Sequence, residues 1–177
     1  MNSRLNTSIC EEQRSHIAGI RELVRSAFGQ DDEALLTDRL RDAGALPISM
    51  VLVVDGELVA HAAASPMSWS CGTERIVVWA LAPVSVKPDR QRRGYGSRIV
   101  RVTIDRCREK DADVLTVLGN PNYYGRFGFT PASQHGLKIE NADFGDAFMV
   151  MELTEGALSE ARGSLSWHPA FDQLGDG

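Results

Sequence analysis

Gln91-Arg92-Arg93-Gly94-Tyr95-Gly96 lies between an extended run, residues 79–86, and a run with helical spacing, residues 97–110. Two glycines in three residues allow a tight turn and a close backbone approach to a ligand. A helix that starts behind such a turn aims its free N–H groups and the positive end of its dipole into it. Strand, glycine turn and helix N-terminus together make an anion cradle, the usual seat of a phosphate or pyrophosphate. The charge distribution agrees. Residues 87–110 carry nine basic and three acidic side chains, whereas the remaining 153 residues carry ten basic and twenty-one acidic ones. A positive segment inside an acidic chain points to a small anionic ligand rather than a long polyanion.

Around this turn the pattern alternates between helix and strand. Residues 5–11 read as a first strand. Residues 13–28 place Ile17, Ile20, Leu23, Val24 and Phe28 at helical spacing, and Gly29 ends that helix. Asp31-Asp32-Glu33 opens a second helix, with Leu35, Leu36 and Leu40 on its apolar face. Residues 48–54 and 57–64 flank Asp55-Gly56, a two-residue hairpin signal. A third strand, 75–86, follows the turn at Cys71-Gly72-Thr73 and contains Pro83, which cannot donate to a ladder, so the pairing must break there. The helix behind the glycine turn carries Ile99, Val100, Val102, Ile104 and Cys107 on a broad apolar arc. Residues 114–118 form a short apolar strand, with later strands expected near 127–131, 147–153 and 163–167, and a fraying end from 173 to 177. Strands that alternate with helices, yet include a plain hairpin, indicate a mixed α/β sheet.

The totals exclude several classes. With 177 residues the chain is read as one domain with a real core. A net charge of −5 argues against nucleic-acid binding. The polar start, Met1-Asn2-Ser3-Arg4-Leu5-Asn6, lacks the apolar core of a signal peptide, and the longest nearly apolar run, 76–86, is too short to span a membrane. Cys10, Cys71 and Cys107 form an odd, scattered set, which reads as reduced thiols in the cytoplasm. His16, His61, His135 and His168 show no ligand spacing, so no metal is expected.

A second informative stretch runs Gly119-Asn120-Pro121-Asn122-Tyr123-Tyr124-Gly125-Arg126-Phe127-Gly128-Phe129. It follows a buried strand, and loops past the carboxyl ends of strands are where open α/β sheets bind ligands. Val84-Ser85-Val86-Lys87-Pro88, then Gln91-x-x-Gly94-x-Gly96, then Tyr124-x-x-x-Gly128-Phe129, resemble the GNAT superfamily of acetyl-CoA-dependent N-acyltransferases over about residues 5–155. The resemblance implies a central, mostly antiparallel twisted sheet with helices on both faces. Beyond the resemblance, residues 156–177 read as a C-terminal extension with one extra strand packed on the domain. Acetyl-CoA is the implied co-substrate, with transfer to a primary amine of a small molecule or peptide. By the same resemblance Gln91, Arg92, Arg93, Gly94, Tyr95, Gly96 and Ser97 match the loop that holds the CoA pyrophosphate. Val84, Ser85 and Val86 match the strand that pairs with the pantetheine arm, and Tyr124 matches the tyrosine beside the thioester sulfur.

Two departures bear on mechanism. Many members carry an Asn seven residues before the tyrosine, where this chain has Val117, and a glutamate on the strand before the glycine loop, where 79–86 holds no carboxylate. The general base is therefore open between water and His61, a residue among alanines that also reads as a packed core histidine. The missing base keeps a second reading, an acyl-CoA-binding regulatory module without turnover. Of the adjacent tyrosines, one is expected to pack in the core and the other, Tyr124, to face the sulfur. Trp167-His168-Pro169 reads as packing or as a subunit contact in a homodimer.

Overall fold

The computed structural model describes residues 6–69, 76–159 and 162–173. The chain runs β1 (Thr7–Glu11), a 3₁₀ turn at Arg14–His16, α1 (Ile17–Phe28), α2 (Asp32–Asp42), β2 (Ile48–Val54), β3 (Glu57–Trp69) and β4 (Val78–Val86). It continues through α3 (Tyr95–Glu109), β5 (Val114–Leu118), α4 (Pro121–Tyr124), β6 (Thr130–Pro131) and β7 (Leu137–Ile139). It closes with β8 (Phe148–Glu152), β9 (Gly163–Trp167) and a 3₁₀ turn at Pro169–Gln173. The expected turn at 71–73, Cys71 and the fraying end at 174–177 lie outside the described residues.

The strands pair in the order β1-β2-β3-β4-β5-β8-β6, while β9 pairs with the far end of β3 and with β7. Every pair is antiparallel except β4 with β5 and β7 with β9. Alternation on β2 decides the layers. Met50, Leu52 and Val54 face α3, where Ile99, Val100, Ile104 and Cys107 are buried against them. Val51 and Val53 face α1 and α2 with Ile20, Val24 and Ala34. Helices therefore cover both faces, as period-two patterning on the strands demands. Asp55 and Gly56 take φ of +50° and +82°, the left-handed pair that a two-residue hairpin turn requires.

Three expectations need correction. The first helix begins at Ile17, because residues 14–16 form a separate 3₁₀ turn. The strand expected at 127–131 shrinks to Thr130–Pro131, since Gly125–Phe127 coils into a 3₁₀ turn and Gly128 adopts a φ of +103°. The short strand β7 was not foreseen; three residues are too few for a period-two signal.

Two irregularities shape the site. Ala62 pairs with Val84 but Ala64 pairs with Leu81, so β4 carries one extra residue around Pro83, a β-bulge. Next to it, β4 and β5 pair only from Val78–Val114 to Ala80–Thr116. Beyond those residues β4 stays with β3 and β5 stays with β8, so a wedge opens between the two parallel strands at their carboxyl ends.

Candidate active site

Two cavities meet in that wedge. The first, about 520 Å³, is lined by Val84 and Val86 of β4, by Gln91, Arg92, Gly94, Gly96 and Ser97 of the glycine turn, and by Tyr123, Tyr124 and Arg126. The second, about 550 Å³, lies on the α1/α2 side and is walled by residues 80–84 of β4, by Thr116 to Gly119, and by side chains from both ends of the chain. Val84 and Tyr124 belong to both.

The first cavity is an anion site made of backbone. Gly94 is the N-cap of α3 with a φ of +85°, and no side chain caps that end. The first helical bond runs from Arg98 N–H to the Gly94 carbonyl at 3.0 Å, so the amides of Tyr95, Gly96 and Ser97 have no helical partner. No acidic residue sits in the first turn to compete with an anion. At Gly96 the requirement is space: a Cβ there would lie 2.9 Å from the Tyr123 hydroxyl and 3.3 Å from Val86 Cγ2.

The side-chain charges divide differently from the sequence count. Lys87 and Arg90 both pair with Glu57, Arg106 with Glu11 and Glu109, and Arg108 with Asp105. Those pairs neutralise much of the basic stretch away from the cavity. Arg92 remains on its wall, joined by Arg126, which no spacing in the sequence marks as a cavity residue. Arg126 stacks over the Tyr123 ring at 4.2 Å and donates from Nε to the Tyr123 carbonyl at 2.9 Å. Of the ten residues matched to cofactor contacts, Ser85, Arg93 and Tyr95 do not line the cavity. The Ser85 side chain is buried on the opposite side of β4 from Val84 and Val86, and the Tyr95 ring packs against the core.

Tyr124 is held by packing. Asn120 caps the short α4 by accepting from Asn122 N–H at 2.8 Å, and Pro121 starts the turn. The Tyr124 ring meets Tyr123 and Phe129 edge-on, at 4.9 and 5.9 Å between centroids. It also lies directly over Gly119, where a Cβ would stand 2.4 Å from Tyr124 Cε2. Burial pushes the Tyr124 hydroxyl up to about 12, with Tyr123 adding to the shift, so it is a protonated donor at neutral pH. The expectation that one tyrosine packs while the other faces the ligand needs revision: both line the first cavity.

His61 lies elsewhere. It is fully buried on β3, lines neither cavity, and is pushed down to about 4 by desolvation. Its Nε2 lies 2.9 Å from Ser49 Oγ, and Ser49 donates its only proton to Glu12 at 2.5 Å. The histidine must therefore donate from Nε2, and its Nδ1 is left buried without a partner. Arg41 clamps Glu12 with bonds of 2.5 and 2.9 Å, and these bonds hold that carboxyl below its usual range against burial, which acts the other way. His61 thus belongs to a buried polar network rather than to the reacting centre.

The description "Acetyltransferase (GNAT) domain" fits residues 9–132 of this chain. The chain belongs to the GNAT acetyltransferases. The uncharacterised N-acetyltransferase YhbS of Escherichia coli K12 is 30% identical to this GNAT chain over 157 residues, 88% of this chain and 93% of YhbS. The crystal structure of E. coli YhbS in complex with CoA shares 29% identity and superposes with a TM-score of 0.91, covering 99% of this chain and 97% of that one. A GNAT family acetyltransferase from Brucella melitensis, in complex with acetyl-CoA, shares 30% identity at a TM-score of 0.78, covering 94% and 99%. The mixed sheet with helices on both faces is the GNAT fold. Among the described residues of this acetyltransferase, no group of metal-ligating side chains gathers and no helix is long and apolar enough to cross a membrane.

Proposed function

We propose that this GNAT enzyme moves an acetyl group from acetyl-CoA directly to a primary amine held in the wedge. The observation that carries the reading is the meeting of the two cavities at Val84 and Tyr124: an anion cradle on one side, an apolar pocket on the other. The amides behind Gly94, with Gln91, Arg92, Gly96 and Ser97, suit the pyrophosphate, and Arg126 adds a cation. The main chain of Val84, Ser85 and Val86 suits the pantetheine amides, which can pair with a strand edge as a peptide would. Cys10 and Cys107 line neither cavity, and burial pushes Cys107 up to about 12, so neither supports a covalent acyl-enzyme.

In this mechanism the neutral amine attacks the thioester carbonyl, the C–N bond forms, and the C–S bond breaks. In this reading Val84, just past the bulge, offers its N–H to the developing oxyanion. Tyr124 donates a hydrogen bond to the departing thiolate. The burial that raises the Tyr124 hydroxyl also raises a thiolate formed beside it, so the proton can follow the charge. The attacking nitrogen sheds its proton to water, and water returns a proton to Tyr124. The test is Tyr124→Phe, with CoA release followed by a thiol reagent and acetyl-CoA affinity by calorimetry. Loss of turnover with affinity retained supports the role, and unchanged turnover removes it.

A further inference from the structure

The second cavity has a chemistry of its own, and it bears on what the acceptor is. Among the described residues, five large apolar side chains are substantially exposed: Phe28, Leu35, Val77, Leu118 and Phe144. Three of them, Phe28 at 42%, Leu118 at 44% and Phe144 at 39%, converge on this single cavity. Scattered exposed hydrophobes need no explanation, but a converging set lining one concave site marks a ligand surface. Trp167 and Phe171, from the C-terminal strand and turn, complete the wall as a parallel stack with centroids 5.9 Å apart. Phe144 packs edge-on to Trp167 at 5.7 Å.

One acidic side chain stands in this apolar lining. Among the described residues that line the cavity, Glu33, in the first turn of α2, is the only carboxylate, and none is basic. Both Glu33 carboxylate oxygens lie 3.2 Å from the Gln30 amide nitrogen. No arginine or lysine among the described residues bridges it, although nearby Asp31 and Asp38 are both ion-paired. An unbridged carboxylate beside aromatic walls is a seat for a cation joined to an apolar body.

We propose that the acceptor is a primary amine carried on an apolar, aromatic-sized body, and that Glu33 is the counter-charge that selects its ammonium form on entry. The proposal rests on the acetyl-transfer reading for the nature of the acceptor. The aromatic wall of Phe144, Trp167 and Phe171 takes the body of the molecule. Polyhydroxylated amines fit poorly, because such a wall leaves their hydroxyls without partners once water is displaced. Amine loss of a proton to water then follows binding, so Glu33 acts on affinity rather than on the chemical step.

The experiment has a binding arm and a turnover arm, using the full chain saturated with CoA for binding and acetyl-CoA for turnover. Calorimetry compares 2-phenylethylamine, 2-phenylethanol and ethylamine, which separate charge from apolar body. The proposal expects 2-phenylethylamine to bind at least about tenfold tighter than either partial probe. Glu33→Gln should erase the preference for the amine over the alcohol, and raise KM for 2-phenylethylamine about tenfold with kcat and CoA affinity little changed. Phe144→Ser, an exposed position that tolerates change, should weaken the amine and the alcohol alike. Equal binding of ethylamine and 2-phenylethylamine would overturn the apolar-body assignment. A Glu33→Gln variant that loses kcat at unchanged KM would overturn the recognition role. Tight, Glu33-dependent amine binding without acetyl transfer would retain the pocket assignment while refuting the transfer reading, so the two fail separately.

Discussion

The two cavities are built in opposite ways. The first cavity, with its anion cradle, draws on short, contiguous pieces: a strand end, one glycine turn, the first turn of α3 and the Tyr123–Arg126 element. The second cavity takes its wall from residue 28 to residue 171, through α1, α2, β4, β5 and β9. One cavity offers backbone amides and a helix end, the other side chains brought together only by tertiary packing. A backbone site needs particular residues at fixed offsets, so it leaves a motif. A side-chain site assembled from distant elements leaves none.

The contrast can be broken most sharply at Tyr124, one of the two residues that the cavities share. Tyr124→Phe should lower kcat about 100-fold, as loss of a positioned donor does, with acetyl-CoA affinity nearly unchanged. Tyr123→Phe should do the reverse on a smaller scale, since its hydroxyl hangs over Gly96: a few-fold weaker CoA binding with kcat almost intact. If both variants lost turnover equally, the tyrosine pair would be acting through packing alone.

A second test uses the network that lines neither cavity. His61 sits near 4 in the folded protein against 6.5 ordinarily, so the unfolded chain takes up the proton first as pH falls. Stability is therefore full above pH 6.5 and declines toward pH 4, by about 2 kcal/mol at pH 5 for this group. Chemical denaturation at pH 7 and pH 5 reads the difference, and His61→Gln, which cannot titrate, should flatten it. Acetyl-CoA affinity at pH 7 should be untouched by that variant. A coupled loss would join this network to the cofactor side.

Glycine substitutions separate the demands of the loop. Gly96→Val puts carbon where the Tyr123 hydroxyl and Val86 already crowd, and should weaken acetyl-CoA about tenfold or more by calorimetry. Gly94→Ala meets open space, so only its positive φ resists, and the expected cost is about 1 kcal/mol of stability with a smaller change in affinity. If Gly94→Ala weakened binding more than Gly96→Val, the loop's conformation rather than its clearance would dominate recognition.

These contrasts explain what was legible beforehand. The hairpin at Asp55-Gly56, the helix behind Gly94 and the break at Pro83 each follow from local residues, and each stands in the structure at its expected place. The tail residues Trp167 and Phe171 gave no sign of lining a cavity, because β9 reaches the wedge only by pairing with the distant end of β3. Glu33 read as a helix-start acid, which it also is, and its second placement depends on how α2 crosses the sheet. The count of basic residues also misled in part, since charge counted along a chain ignores the acids that folding brings to meet it, as Glu57 meets Lys87 and Arg90.

The attachment of β9 carries a consequence for motion. Its link to β3 spans only Met67–Trp167 to Trp69–Leu165, with a further parallel pairing to the three-residue β7. Short ladders of this kind open locally at far lower free energy than a central strand does. Because Trp167 and Phe171 form part of the second cavity's wall, a molecule seated there would bind the docked segment and not a detached one. Occupancy and docking are thus linked equilibria, and filling the pocket should slow amide exchange along residues 163–167 while leaving β2 unaffected. The acceptor would then serve as a clasp on the segment that contains it.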